Sequence, residues 1–387
     1  MIVTTQIPCG NGRIRWIKPG HFEVELIAYS KHARYTHFRI SDVKEARQQE
    51  IILRPDAYFP ATFPNLHCKI WIRRGDDGEW LSLPEEQVQI APEVVRFPVD
   101  LYPNENLYIS TEPPRPYAET TQELFQIHQS HPQITSLECI GHSIEQRPMF
   151  CLSVTNDINA AASAQKPVVH ISAGEHATEF SGEEIARGML QLALSDSPVA
   201  QSLRDQFRFD FILNCNPDGN FHGWHQYNAS DWLAHNYADG ADRSWHHEFE
   251  PYFMGELDSP SPETVAVAEH IKVSRPVFLL SLHSWLGHHG NPGAFHADAH
   301  LLSPAMGEKL SLLNTLAKKV AKDFDVEFET YPSSNLCAGH IGTYLMKNDI
   351  TLAYTIEGHM NLGRQKLQNF GAQLLQTWLA EKQLQLI

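Results

Sequence analysis

The stretch PVVHISAGEHATEFSGEEIARGMLQLALS, Pro167 to Ser195, decides the fold. Its opening, Val168 to Ala173, is short, apolar and rich in β-branched residues, as a buried strand should be. Its close, from Glu183 onward, has the spacing of an amphipathic helix. A buried strand running through a brief turn into a helix is half of a βαβ unit. The turn itself is unusual. Glu175, His176, Glu179, Glu183 and Glu184 crowd together where a buried strand ends.

The same alternation continues on both sides. TQELFQIHQSH predicts a helix, and SLECIG and MFCLSVTN predict strands. FRFDFILNCNPDG is a strand running into a turn. TVAVAEHIKVS is helical, PVFLLSLHSW a strand, and AMGEKLSLLNTLAKKVAKDF a long amphipathic helix. TLAYTIEG is a strand, and GRQKLQNFGAQLLQTWLAEKQ closes the chain as a helix. Strands alternating with helices predict an α/β region with a mixed, mostly parallel sheet and helices on both faces.

Upstream the pattern is all-β. RIRWIKPGHFEVELIAY, THFRISDV, EIILR, CKIWIRR, EWLSL and NLYIST are short β-branched and aromatic runs separated by Gly, Pro, Asn and Asp. GDDGEW, Gly75 to Trp80, is a hairpin turn signal. These runs predict an antiparallel sandwich of about seven to nine strands. The proline-rich TEPPRPYAE, Thr111 to Glu119, marks the boundary. Two domains are expected: a β-sandwich at 1–112 and a catalytic domain at 113–387.

Bulk properties narrow the function. A net charge of -16 argues against nucleic-acid binding, which needs clustered Lys and Arg, and against anionic membranes. No window approaches the roughly 18 apolar residues of a membrane span. The amino terminus carries no basic start followed by an apolar run, and the six cysteines form no C-x-x-C pair. The expected location is the cytoplasm. The 22 histidines are an excess, and neutral imidazole is a common metal ligand.

In open α/β sheets, sites form beyond the carboxyl ends of the strands. Three predicted strands end on metal-type side chains: His176-Ala-Thr-Glu179, His283 in SLHSW, and Glu357 in YTIEG. An H-x-x-E turn plus a distant histidine makes a three-ligand zinc site with a fourth position open to water. A further carboxylate is then needed to take and return a proton, and Glu357 is the candidate.

At this point the chain resembles the zinc carboxypeptidase family, nearest its cytosolic-carboxypeptidase branch, over about 115 to 370. IGHSIEQRPMFCLSVTN looks like the family's Gly-x-Ser, Gly-Arg-Pro strand, and GEHATEFSG like its H-x-x-E turn. NCNPDGNFHG is similar to its Asn-Pro-Asp-Gly segment and ADRSW to its Asn-Arg-x-Trp. SLHSW resembles its third-ligand strand and AYTIEGHMNLG its Tyr-Thr-Leu-Glu stretch. A β-sandwich ahead of the catalytic domain also belongs to that branch. The resemblance implies one Zn2+ per chain on His176, Glu179 and His283. It implies Glu357 as general base and acid, and Arg243 as the group that binds a terminal carboxylate. A guanidinium fork suits that task.

Three departures bear on the substrate. Where the family has an oxyanion arginine this chain reads GWHQYNAS, with His225 or Gln226 in its place. The family's Asn-Arg pair is Asp242-Arg243 here, preceded by the added segment DWLAHNYADG. SSNLCAGHIGTYL, before the catalytic-Glu strand, holds no Lys or Arg but only His340, which argues against a polyglutamate substrate.

The leading expectation is a metallocarboxypeptidase acting on a small peptide or peptide-like substrate, with no nucleic-acid or membrane partner and self-association left open. Two readings compete with it: an aspartoacylase-like zinc amidohydrolase of N-acyl amino acids, and a metal-binding protein of little activity. Other histidines read as rim groups: His246, His247, His288 and His289. His296 and His300 could share a helix face, although Pro292 and Gly293 favour a loop. Glu175, Glu183 and Glu184 read as neighbours of the site or helix-start charges. Asn216 and Asp218 read as turn-shaping groups.

Overall fold

The computed structural model describes residues 1–27, 35–54, 69–91, 94–224, 261–284, 291–297, 299–333, 342, 345–346, 349–384 and 386. Ten strands are described before the proline-rich segment. They are β1 (Ile2–Thr4), β2 (Arg13–Lys18), β3 (His21–Glu25), β4 (His37–Ser41), β5 (Arg47–Arg54), β6 (Trp71–Arg74), β7 (Trp80–Ser82), β8 (Gln89–Ala91), β9 (Val94–Leu101) and β10 (Leu107–Ser110). They form two five-stranded sheets, ordered β1-β4-β10-β6-β7 and β2-β3-β5-β9-β8. Alternating burial along β9 and β5 turns one side chain in two inward, which a sandwich requires. Phe22, Val24, Phe38, Ile40, Ile51, Phe97 and Ile109 fill the space between the sheets. The strands are antiparallel as expected, except that β3 pairs parallel with β5. The GDDGEW turn joins β6 to β7 in the predicted hairpin.

The rest of the chain is the expected α/β unit. Its elements are α1 (Tyr117–Ser130), β11 (Thr135–His142), β12 (Pro148–Val154), β13 (Val168–Ala173), α2 (Phe180–Leu194), α3 (Pro198–Gln206), β14 (Arg208–Ile212), α4 (Pro217–His222) and α5 (Pro262–Ser274). There follow β15 (Phe278–Ser284), β16 (Gly293–Ala297), α6 (Pro304–Asp323), β17 (Glu329–Ser333), β18 (Leu352–Gly358) and α7 (Arg364–Leu379). The eight strands run β11-β12-β14-β13-β15-β18-β16-β17. β14, β13, β15 and β18 pair in parallel at the centre. Every residue of β13 and of β15 is buried, as a strand covered on both faces must be. α2 packs on α7 and against β15 and β18. His296 lies on β16, so the helix-face pairing with His300 does not form. Gly293 starts a strand there instead of the expected loop.

The two regions meet beside the start of α2. Cys9 and Tyr35 from the β region form a small buried cluster with Phe180, the first residue of α2. The Tyr35 and Phe180 rings lie 5.7 Å apart, edge to face. Asn11 Nδ2 donates to Gly223 O at 2.7 Å, and the Lys69 amide donates to Asn361 Oδ1 at 3.1 Å.

Candidate metal centre

Sheet register builds the centre. On β15 and β18, His283 is the direct partner of Glu357. Opposite residues of paired strands point to the same face, so these two side chains stand side by side. β13 lies on the other side of β15, with Ala173 beside Leu282. The chain leaves β13 through Gly174, whose φ of +75° lies in the left-handed region and whose missing side chain leaves room for Leu213 and Asn214. The following turn closes with the Glu179 amide donating to His176 O at 3.1 Å.

Glu179 is the N-cap residue of α2, yet its side chain does not cap the helix. It turns to two imidazoles instead. His176 Nδ1 is 2.8 Å from Glu179 Oε1, and His283 Nδ1 is 2.8 Å from Glu179 Oε2. The two rings meet edge to face with centroids 4.8 Å apart. This closeness depends on Gly182. A Cβ there would lie 2.5 Å from Leu282 O and 2.7 Å from His283 N. The glycine in FSGEE lets the first turn of α2 lie on the β15 backbone.

His176, Glu179 and His283 each offer one ligand atom, and the three atoms lie within 4.8 Å of one another. Two imidazole nitrogens and a carboxylate are the donor set of a three-ligand zinc site. The far side of His283 is held as metal-binding imidazoles are: Ser281 Oγ is 3.0 Å from Nε2, and Glu175 Oε2 is 3.5 Å away. The residues therefore fit zinc.

Charge inside this pocket is concentrated. Burial works to raise the Glu179 carboxyl, but the neighbouring imidazoles outweigh it and hold the group well below its usual range. Burial works to lower His283, but Glu175 and Glu179 hold it well above the usual imidazole range. Glu357 is pushed up to about 8, by burial first and then by the negative charge of Glu179, with His283 opposing.

Other sequence-predicted residues take definite places. Asn216 caps α4, accepting from the Gly219 amide at 2.8 Å, and its Nδ2 donates to Glu175 O at 3.2 Å. Asp218 accepts from Ser143 Oγ at 2.6 Å, Arg147 Nη1 at 2.6 Å and the Glu145 amide at 2.9 Å. The GHSIEQRP and NPDG segments are thus tied together by one buried carboxylate. Glu183 pairs with Arg187 at 3.0 Å, and Glu184 with Arg115 at 2.7 Å. Both carboxylates are buried in ion pairs, and Glu183 stands in the first turn of α2 as expected. His225, Gln226, Asp242, Arg243 and His340 lie outside the described residues, as do His246, His247, His288 and His289.

Sequence reading missed Glu112, Ser181 and Ser284, which bond one another beneath the Glu179 turn. It also missed a second convergence of ligand-type atoms, on Cys151, Asp210 and His270. There Arg208 binds Asp210 with two nitrogens at 3.0 Å and Ser153 Oγ donates at 2.7 Å. That carboxylate is already matched by a cation and a hydroxyl, which makes it a buried ion pair.

Together, the parallel sheet and the His-x-x-Glu…His cluster at its strand ends define a metal-dependent hydrolase fold. Residues 120–381 match the zinc carboxypeptidase family, and the chain belongs to that family. Zinc is the metal that this membership implies. Cytosolic carboxypeptidase 2 of Macaca fascicularis is 22% identical over 245 residues, covering 57% of this chain and 29% of that protein. The human protein of the same name is 24% identical over 211 residues, covering 49% and 23%. The chain thus spans under a third of the length of these relatives. A solved metallo-carboxypeptidase from Burkholderia cenocepacia superposes with a TM-score of 0.78 at 18% identity, covering 98% of each chain. One from Pseudomonas aeruginosa, solved with (2-guanidinoethylmercapto)succinic acid, gives 0.75 at 17%, covering 99% of this chain and 100% of that one. At these identities the likeness speaks for the whole-chain fold, β region included.

Proposed function

We propose that the protein is a zinc-dependent metallocarboxypeptidase that hydrolyses the C-terminal peptide or amide bond of a peptide or peptide-like substrate. One observation carries this reading. Both oxygens of Glu179 meet an imidazole Nδ1, and Glu357 stands beside His283 on the next strand. His176, Glu179 and His283 would hold the metal. When bound, zinc supplies a Lewis acid and a water of near-neutral pKa.

The chain's own groups do the rest. Glu357 takes a proton from the attacking water and returns it to the leaving amine. Held near 8, it sits where a carboxyl can both accept and donate close to neutral pH. A positive charge at the three ligands acts to lower it toward the base form. Arg243 binds the substrate's terminal carboxylate with its guanidinium fork. Asp242 beside it orients that fork or meets a substrate cation. Gln226 or His225 is assigned to the developing oxyanion, and His340 to recognition of the substrate side chain. The sequence pattern supports these four assignments.

We take residues 113–387 as the catalytic domain and 1–112 as its β-sandwich neighbour, a division supported by the change of sheet across the proline-rich segment. A cytoplasmic location is supported by the cytosolic relatives and by the unpaired Cys9, Cys139, Cys151 and Cys215. Among the described residues no helix is long and apolar enough to cross a membrane.

The test is a substrate screen with zinc-loaded protein. Dipeptides blocked at the amino end and free at the carboxyl end should be cleaved. Their C-terminal amides and simple N-acyl amino acids should react more slowly. Preference for N-acyl amino acids would replace this reading with the amidohydrolase one.

A further inference from the structure

A buried carboxylate from the segment between the two regions lies under the centre and has no role in the chemistry above. Glu112 follows β10 and is 2% exposed. Its Oε1 accepts from the Ser181 amide at 2.7 Å and from the Ser284 hydroxyl at 3.2 Å. Ser181 comes two residues after Glu179, and Ser284 comes directly after His283. The Ser284 amide donates to Glu179 Oε2 at 3.0 Å, the oxygen that also meets His283 Nδ1. The Ser284 hydroxyl accepts from the Ser181 amide at 3.0 Å and pairs with the Ser181 hydroxyl.

The first amides of a helix need an acceptor, and the N-cap side chain ordinarily supplies it. In α2 that side chain is Glu179, which is turned to the imidazoles and caps nothing. Glu112 takes its place from 67 residues upstream of Glu179, its Oε1 accepting from the Ser181 amide in the first turn. Glu112 is fixed in turn from the β region. Its amide donates to Ser110 Oγ at 3.2 Å, and Ser110 Oγ donates to the Glu112 carbonyl at 2.5 Å. Beside it, Phe180 is packed against Tyr35.

Resting on the zinc reading above, we infer that Glu112 is a positioning residue of the metal centre. It caps α2 so that Glu179 is free to serve the metal, and through Ser284 it fixes the spacing of Glu179 and His283. The β region, by anchoring Glu112, is then part of what holds the ligands in register. Outer hydrogen bonds of this kind set metal affinity without touching the metal.

The test measures zinc release to a chelator, and the melting midpoint of metal-free protein, for the full chain and its variants. Glu112→Ala should release zinc about 10- to 100-fold faster. Glu112→Gln keeps an acceptor oxygen and should lie nearer wild type than Glu112→Ala. Ser284→Ala should also release zinc faster, and the double variant should show less than the combined effect of the two, because both act through one chain of bonds. On a cleaved peptide, kcat should fall while KM holds. A role confined to fold stability would lower the metal-free midpoint and leave zinc release from folded protein unchanged, and that result overturns the inference. If Glu112→Ala does not fold, unchanged zinc release in Ser284→Ala overturns it equally. Failure of the zinc reading itself shows separately, as wild-type protein that holds no zinc.

Discussion

Two buried histidines, His37 in the β region and His170 in the α/β sheet, differ from the carboxylate–imidazole cluster at the strand ends. His37 in the β sheet and His170 at the middle of β13 are both buried; among the described residues neither ring nitrogen of His170 has a hydrogen-bond partner, and His37 has only the Pro8 and Cys9 backbone beside its ring. Burial is the main cause that lowers them, His37 to about 3 and His170 to about 4, with Arg73 adding to the first and His270 to the second. His283 is just as buried, yet Glu175 and Glu179 keep it chargeable. Burial away from carboxylates keeps an imidazole neutral, and burial among carboxylates favours its charged form. The α/β region collects its partnered groups at the carboxyl ends of β13, β15 and β18, whereas the β region supplies packing and one remote cap.

The comparison breaks first at Glu357. Glu357→Gln should lower kcat by about 10²- to 10⁴-fold while bound zinc is unchanged. Full activity in that variant would remove Glu357 from the chemistry. Next comes the junction. Phe180→Ala should cost about 3–5 kcal/mol, since it opens a cavity among fully buried groups. Denaturant melts monitored in both regions would detect it, and a loss below about 1 kcal/mol would show that the regions do not share this packing. Gly182→Ala follows, at about 1–3 kcal/mol, because the added Cβ would overlap the β15 backbone. It should also weaken zinc binding. A neutral effect would mean that α2 can retreat without disturbing Glu179.

The smallest effect concerns the silent histidines. Their folded values lie below the ordinary imidazole value of about 6.5. Between that value and about 4 the unfolded chain therefore binds the proton and the folded chain does not, and stability falls as pH falls. From about pH 6.5 to 5.5 each histidine should cost about 1 kcal/mol. Glu183, raised to about 7 by burial against the pull of Arg187, acts in the opposite direction. The diagnostic quantity is thus a difference: the pH slope of His170→Phe should be less steep than that of wild type by that amount. Identical slopes would show that His170 already exchanges protons in the folded protein.

The α/β order and the β region were legible in the sequence, and so was the meeting of His176, Glu179, His283 and Glu357 near strand ends, whose roles the variants above test. Each sits where a short buried strand ends, and strand ends can be read from local pattern. What was not legible depends on long-range placement. Glu112 reaches Ser284 across 172 positions, and nothing in TEPPRPYAE announces a helix cap. Glu183 does stand in the first turn of α2, with Arg187 one turn on, but the Arg115 and Arg364 partners of Glu184 are assigned only by packing. His296 fell on a strand, not the loop that Pro292 and Gly293 favour, because β16 pairs with β17 and β18, which local spacing does not show. The parallel pairing of β3 with β5 leaves no local signature either, since strand direction is set by connections.

Zinc stoichiometry tests the centre most directly. Purified protein dialysed against trace zinc should hold about one ion per chain, and Glu357→Gln should hold the same amount. Glu179→Ala, which removes the carboxylate shared by both imidazoles, should hold almost none. Zinc retained at the wild-type level in Glu179→Ala would contradict the account.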